Sequence, residues 1–392
     1  MAPDAVYLHI GSPKTGTTYI QDVLWANRQA LKADGILLPG SYRYARVQAV
    51  RDLLKWEPID GDLPQTWRKL AGEARRWSGR SAIISQEFLC WASTDQITAA
   101  VESFPKSRVE VILTTRDLAR LVPAQWQTAM RQRNTRTLDE YADAVAGVAE
   151  GGQAKAGARR FWRRQDYGPI LARWIDAVGL ERVRVVTLPP SGGDPTELWS
   201  RFCRACGIDT ETTAPGGVSH ESLGAVSAEL MRRLNAHPTI EDMPMRTYQK
   251  SVNGALSRRV LGQRRSQEPG LALPEQHIPW AEREAARVIG DIEALGVEVI
   301  GDLDDLRPRP AKNPSVAPEE LPVEELLAAA LDGLAGMTAE HAELMKKIKK
   351  AENQSRPRTK QVAAPVKRSF LSRMRGVLAR LRAAVRRRRA RR

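Results

Sequence analysis

An apolar run, AVYLHI (Ala5–Ile10), leads directly into GSPKTGTT (Gly11–Thr18), and a helical pattern begins at Thr17. A strand that feeds a glycine-containing turn and then a helix constrains this chain more than any other stretch. Gly11 and Gly16 are separated by four residues, the glycine spacing of a nucleotide-phosphate loop. Glycine at such points lets the backbone take positive φ and approach an anion closely. The amides of Gly16, Thr17 and Thr18 are expected to face that anion from the helix N-terminus, where the helix dipole favours negative charge. Lys14 adds a full positive charge inside the turn.

A magnesium-dependent ATPase loop places Lys and then Ser or Thr directly after its second glycine, so that the hydroxyl can bind the metal. Here Thr17 and Thr18 follow Gly16, and the lysine lies two residues before it. A phosphate donor handled without a metal is the expectation.

Further strand-like runs follow at ILLP (36–39), SAIIS (81–85), VEVILTT (109–115) and VRVVTL (183–188), with helical patterns between them. VEVILTT is β-branched and apolar on both faces, as a central parallel strand should be. The alternation predicts an α/β fold of three layers: a parallel sheet with helices on both faces, then a helical C-terminal region and a basic tail. The expected division is 1–300 for the α/β domain, 301–322 for a Pro-rich linker, 323–355 for a docked helix or short coiled coil, and 356–392 for the tail. Val323, Leu327, Leu331, Leu334, Leu344, Met345 and Ile348 supply the apolar stripe of that helix, interrupted by His341. Ligands of such sheets sit beyond the carboxyl ends of the strands. Arg116 stands at that end of VEVILTT, where a guanidinium can clamp a phosphate.

The segment GSPKTGTTYIQ resembles the 5′-phosphosulfate loop of the sulfotransferase superfamily, written PKxGTTxL, whose members use 3′-phosphoadenosine 5′-phosphosulfate (PAPS) on a P-loop-like fold. The resemblance implies that Pro13, Lys14, Thr15, Gly16, Thr17 and Thr18 hold the donor, and that Lys14 stabilises the oxygen that leaves. It also implies that Arg116 binds the 3′-phosphate. The family's partner for that arginine is a serine eight residues on, and this chain has Ala124 there. Arg120 and Gln125 are the substitutes at hand. The family's base is a His or a Glu; Glu87, following a strand in SAIISQEFLCW, is the candidate, and His9 is expected to be a core or backbone-bonded histidine. Among the aromatics Trp126, Trp162, Trp174 and Tyr167, only Tyr167 is assigned to the cofactor side, as a ring for stacking or lining. The resemblance spans about residues 5–300 and is motif-specific at two places.

The net charge is +15, with 61 basic and 46 acidic residues. From Arg356 to Arg392 there are 15 Lys and Arg and no acid, so the remainder is balanced at 46 against 46. Charge-driven binding is therefore a question about the tail alone. There Phe370, Leu371, Met374, Val377, Leu378, Leu381 and Val385 share one helical face opposite arginines. That pattern favours an anionic membrane surface over nucleic acid. Three cysteines argue against a disulfide scaffold, and Cys203 and Cys206 read as packing residues. With no apolar run of spanning length and no secretory pattern, a cytoplasmic, peripheral location at the inner membrane face is expected. The acceptor is left open as a small molecule, glycan or lipid, and so is the oligomeric state. No metal site is expected. The alternatives are a kinase-like phosphoryl transferase and a catalytically inactive membrane-associated scaffold.

Overall fold

The computed structural model describes residues 2–42, 44–57, 65–149, 151, 156–194, 196–215, 222–310 and 315–355, together with 376, 377, 379 and 380. The chain divides into two compact units, Met1–Met337 and Thr338–Arg392. The tail read from sequence as amphipathic lies, those four residues apart, outside the described residues.

The first unit is built on six parallel strands: β1 (Ala5–Gly11), β2 (Ile36–Leu37), β3 (Ser81–Ser85), β4 (Arg108–Thr115), β5 (Val183–Thr187) and β6 (Glu298–Ile300). Their order is β2-β3-β1-β4-β5-β6. The chain therefore lays β2 and β3 on one side of β1 and then crosses to β4 on the other. That reversal leaves a crevice beyond the carboxyl ends of β1 and β4. The two strands that bracket it deliver the two anchors expected from sequence, the glycine turn and Arg116.

Alternation along the strands divides the core. Leu8, Ile84, Val111 and Leu113 face one layer with Tyr167, Trp174 and Ile289. Ile83, Ile112 and Val186 face the other with Ile20, Leu24 and Phe202. Helices α1 (Thr17–Ala26), α2 (Leu118–Met130), α3 (Ala156–Gln165), α4 (Tyr167–Val178), α5 (Glu197–Cys206) and α6 (Ile278–Leu295) supply these covers and a further helical core around Trp126, Met130, Tyr248 and Trp280. The α/β architecture is the one predicted. Cys203 and Cys206 are buried and free, and burial raises both thiols.

The stretch expected as a linker carries structure of its own: Ser315–Val316 pairs with Gly270–Leu271, and Leu306 and Leu321 are buried. Helix α7 runs Val323–Ser355. In the first unit its packed residues are Leu326 and Ala329, whereas Val323, Leu327 and Leu331 are exposed. Among the described residues no helix is long and apolar enough to cross a membrane.

Candidate functional site

The turn after β1 has the backbone its glycines foretold. Gly11, Lys14 and Gly16 all adopt positive φ, at 99°, 71° and 85°. A lysine in that region is uncommon, and such conformations persist only where the surroundings hold them. Gly16 is the residue that begins α1, and it supplies no side-chain cap. The first amides of a helix have no partner within it. The turn thus presents donors, with Thr17 buried and Thr18 exposed. A Cβ at Gly11 would lie 2.7 Å from the Cα of Glu87, and one at Gly16 only 2.4 Å from Leu198 Cδ2. Gly11 is required by backbone contact as well as by φ, and Gly16 by φ, its neighbour being the end of a leucine side chain.

A buried polar chain holds the turn from below. Ser12 N donates to Thr114 O at 3.0 Å. Thr15 Oγ1 lies 2.5 Å from the Ser12 carbonyl and 2.5 Å from Thr114 Oγ1. His9 Nε2 is 3.3 Å from Thr114 Oγ1, and its Nδ1 is 2.7 Å from Ser85 Oγ. A carbonyl only accepts, so the Thr15 proton points at Ser12. Thr114 then donates to Thr15, His9 Nε2–H donates to Thr114, and Ser85 donates to Nδ1. The chain of contacts assigns His9 the neutral Nε2–H form. Burial alone lowers its pKa to about 3, which agrees with that state. His9 is a core histidine, as expected, but its bonds go to side chains rather than to backbone.

The second anchor meets the first. Arg116 Nη1 donates to the Lys14 carbonyl at 3.0 Å. Its Nε has no partner among the described residues. Burial and the neighbouring Arg120 lower its pKa to about 10, so it stays charged at neutral pH. Tyr167 enters this arrangement in a different way from the one expected. Its ring is 2% exposed inside the sheet core, where it can neither stack on a base nor line a channel. Its hydroxyl instead accepts from Arg116 N at 3.2 Å and donates to the Arg116 carbonyl at 3.4 Å. Trp126 and Trp174 are fully buried and Trp162 nearly so.

Gln165 completes the cradle and went unnoticed in the sequence. Its Nε2 donates to the Pro13 carbonyl at 2.9 Å, and its Oε1 accepts from Ser12 Oγ and stands 3.4 Å from the Tyr167 hydroxyl, an alternative acceptor to the Arg116 carbonyl for that single proton. A lone glutamine at the end of a helix carries no motif that could have revealed it.

Beyond the ends of β4 and β5 lies a cavity of about 1700 Å³, lined in part by Arg116, Arg120, Ala124, Gln127, Pro190 and Arg265. It exceeds the usual range of small-ligand pockets, roughly 300–1,000 Å³. Of the expected site residues only Arg116 lines it. Of the two substitutes for the missing serine, Gln125 is directed at the Pro13 carbonyl, 3.4 Å away, and is buried. Arg120 does line the cavity, paired with Asp117 and donating to the Pro189 carbonyl at 2.9 Å. Glu87 stands after β3 against Gly11, and its Oε2 accepts from Gln21 of α1 at 2.9 Å. The carboxylate and the turn are therefore neighbours, although they derive from different strands.

No family model and no curated protein matches this chain. Among solved structures it is similar to a sulfotransferase from Alicyclobacillus acidocaldarius, with 14% identity over 64% of this chain and 99% of that one, at a TM-score of 0.34. It is also similar to the sulfotransferase domain from the curacin biosynthetic pathway, with 11% identity over 76% of this chain and 99% of that one, at a TM-score of 0.31.

Proposed function

We propose that this chain is a sulfotransferase that moves a sulfuryl group from PAPS to a hydroxyl or amine of its acceptor. The observation that carries this reading is the bond between its two anchors. Arg116 of the β4 end donates to the backbone of Lys14 in the turn after β1, which sets its guanidinium beside the turn. The residues fit the donor: a turn with a glycine at each end, opening onto the N-terminus of α1, suits a phosphosulfate, and Arg116 has a buried Nε with no partner among the described residues that adds a donor on the same side.

In this reading the acceptor oxygen or nitrogen attacks sulfur, and the bond from sulfur to the 5′-phosphate oxygen breaks. The acceptor proton passes to the Glu87 carboxylate, which Gln21 orients. Lys14 and the amides of the turn carry the charge that develops on the departing phosphate, the term that usually dominates in such sites. Adenosine 3′,5′-bisphosphate then leaves. Arg120 takes the place of the family's serine on the 3′-phosphate side, because it lines the cavity where Ala124 has no hydroxyl.

Calorimetric titration with adenosine 3′,5′-bisphosphate tests the proposal. Wild type should bind without Mg²⁺, and Lys14→Ala and Arg116→Ala should each weaken binding by at least about 1.5 kcal/mol, the scale of a charge-assisted hydrogen bond. Binding that requires Mg²⁺, or that ignores both substitutions, overturns it. The composition of the tail supports attachment to an anionic membrane; removing 356–392 should then abolish flotation with anionic liposomes.

A further inference from the structure

Helix α3 carries Arg159, Arg160, Arg163 and Arg164 within six positions and has no acidic residue. Like charges three and four residues apart on a helix repel. Elsewhere in this fold arginines are neutralised: Arg184 pairs with Glu110 and Glu298, Arg201 with Asp305, and Arg287 with Asp166, Glu284 and Asp291. Among the described residues none of the four on α3 pairs with a carboxylate. Such a run is ordinarily a solvated face, but here two of its arginines are held against Trp91.

Arg164 is half-buried and lies over the Trp91 ring, 4.1 Å from its centroid. Trp91 in turn stacks on Phe88, with centroids 4.9 Å apart and planes at 12°. A guanidinium seated over an indole face is held by the ring rather than by a carboxylate, which leaves N–H groups to grip a planar or tetrahedral oxyanion. Arg163 reaches the Trp91 carbonyl at 3.5 Å, and Arg173 of α4 reaches the Cys90 carbonyl at 3.4 Å. Burial, then Arg160, lowers the pKa of Arg164 to about 10, which leaves it charged. The helical turn Glu87–Trp91 begins with the candidate base and ends with the ring that supports Arg164. Positive charge with no carboxylate partner among the described residues thus gathers at Trp91, the far end of the turn that Glu87 begins.

We propose that Arg160, Arg163 and Arg164 form an acceptor subsite for an oxyanion, a carboxylate or a sulfate ester, so that the molecule sulfated is itself acidic. This rests on the sulfotransferase reading and on Glu87 as its base. An acidic acceptor anchored here brings its hydroxyl to Glu87 while its negative charge is held apart from the donor's phosphates.

The test uses the full chain saturated with adenosine 3′,5′-bisphosphate, so that the turn is filled. Thermal unfolding is followed while sodium sulfate or sodium glucuronate replaces sodium chloride at constant ionic strength. Wild type should show a saturable rise in Tm with at least one of the two anions, sulfate alone pointing to a sulfate ester and glucuronate alone to a carboxylate. Arg163→Gln/Arg164→Gln should bind that anion at least about 10-fold more weakly and still bind the nucleotide as wild type does. Arg160→Gln, at an exposed position, is the second variant and should weaken the anion alone. No saturable rise in wild type, or an equal rise in wild type and both variants, overturns the subsite while leaving the sulfotransferase reading intact. Absence of nucleotide binding in wild type sinks that reading instead, and the difference between wild type and variants still reports on the arginines.

Discussion

Acidification offers the sharpest test of the polar chain beneath the turn. His9 is fully buried, and its pKa falls from the ordinary 6.5 to about 3. In the unfolded chain the same imidazole titrates at its ordinary value. Below pH 6.5 the unfolded state therefore holds more protons than the folded one, and stability drops as the pH falls. The contribution is intact above pH 6.5 and is lost progressively down to about pH 3. Between pH 7 and pH 5 the loss is about 2 kcal/mol, and it keeps that size for any folded pKa below about 4.

Acid acts on other ionisable groups of the chain as well, so the histidine must be isolated by difference. His9→Gln removes the titration and retains an N–H able to reach Thr114. All ten tryptophans lie at or before Trp280, so urea unfolding followed by tryptophan fluorescence reports on the first unit alone. The variant should be less stable at pH 7 by about 1–3 kcal/mol, the cost of leaving Ser85 without its acceptor. Between pH 7 and pH 5 it should lose about 2 kcal/mol less than wild type. Equal losses in the two proteins would refute the neutral Nε2–H assignment.

Other expectations are more local. Gly16→Ala should lower Tm and weaken adenosine 3′,5′-bisphosphate at least about 10-fold, since a Cβ would meet Leu198 at 2.4 Å and φ is 85°; an unchanged titration counts against the cradle. Tyr167→Phe should cost about 1 kcal/mol in urea unfolding through the lost bonds to the Arg116 backbone. Arg201→Leu strips Asp305, itself 5% exposed, of its nearer ion pair, and denaturation should show a loss of about 3–5 kcal/mol.

Much of the candidate site's backbone was legible because it is local. A strand, a turn with two glycines and a helix start lie within Ala5–Ala26, and each uses a backbone preference readable from neighbouring residues. Arg116 was legible for a related reason, since the end of an apolar β-branched strand locates it on the ligand edge. What escaped is long-range. Gln165 reaches Ser12 across 153 positions, and Thr114 reaches Thr15 across 99. No periodicity encodes such meetings, because they depend on which strand the sheet places beside which. Tyr167 shows a second kind of blindness. A ring at helical spacing looks the same in sequence whether it lines a site or fills a core, and only its hydroxyl, bonded to Arg116, belongs to the site.

Helix α7 shows why counting large apolar residues can select the wrong face. The sequence draws the eye to Val323, Leu327, Leu331 and Leu334, all of which are exposed in the first unit. The packed side is marked by Leu326, Ala329, Gly333 and Gly336. A Cβ at Gly336 would come within 2.4 Å of Val260, and one at Gly333 would come within 3.4 Å of Leu256. Small residues let two helices approach to van der Waals contact, so the dispersion gained depends on what is missing from the interface rather than on what projects from it. Leu327 and Leu331 lie outside the buried cluster that Leu326 and Ala329 form with Ala225, Val226 and Leu321. If this account holds, Gly336→Leu should destabilise the first unit by about 1–3 kcal/mol through overpacking against Val260, whereas Leu331→Ser should leave its urea midpoint unchanged. The opposite ranking would mean that the helix docks through its large stripe.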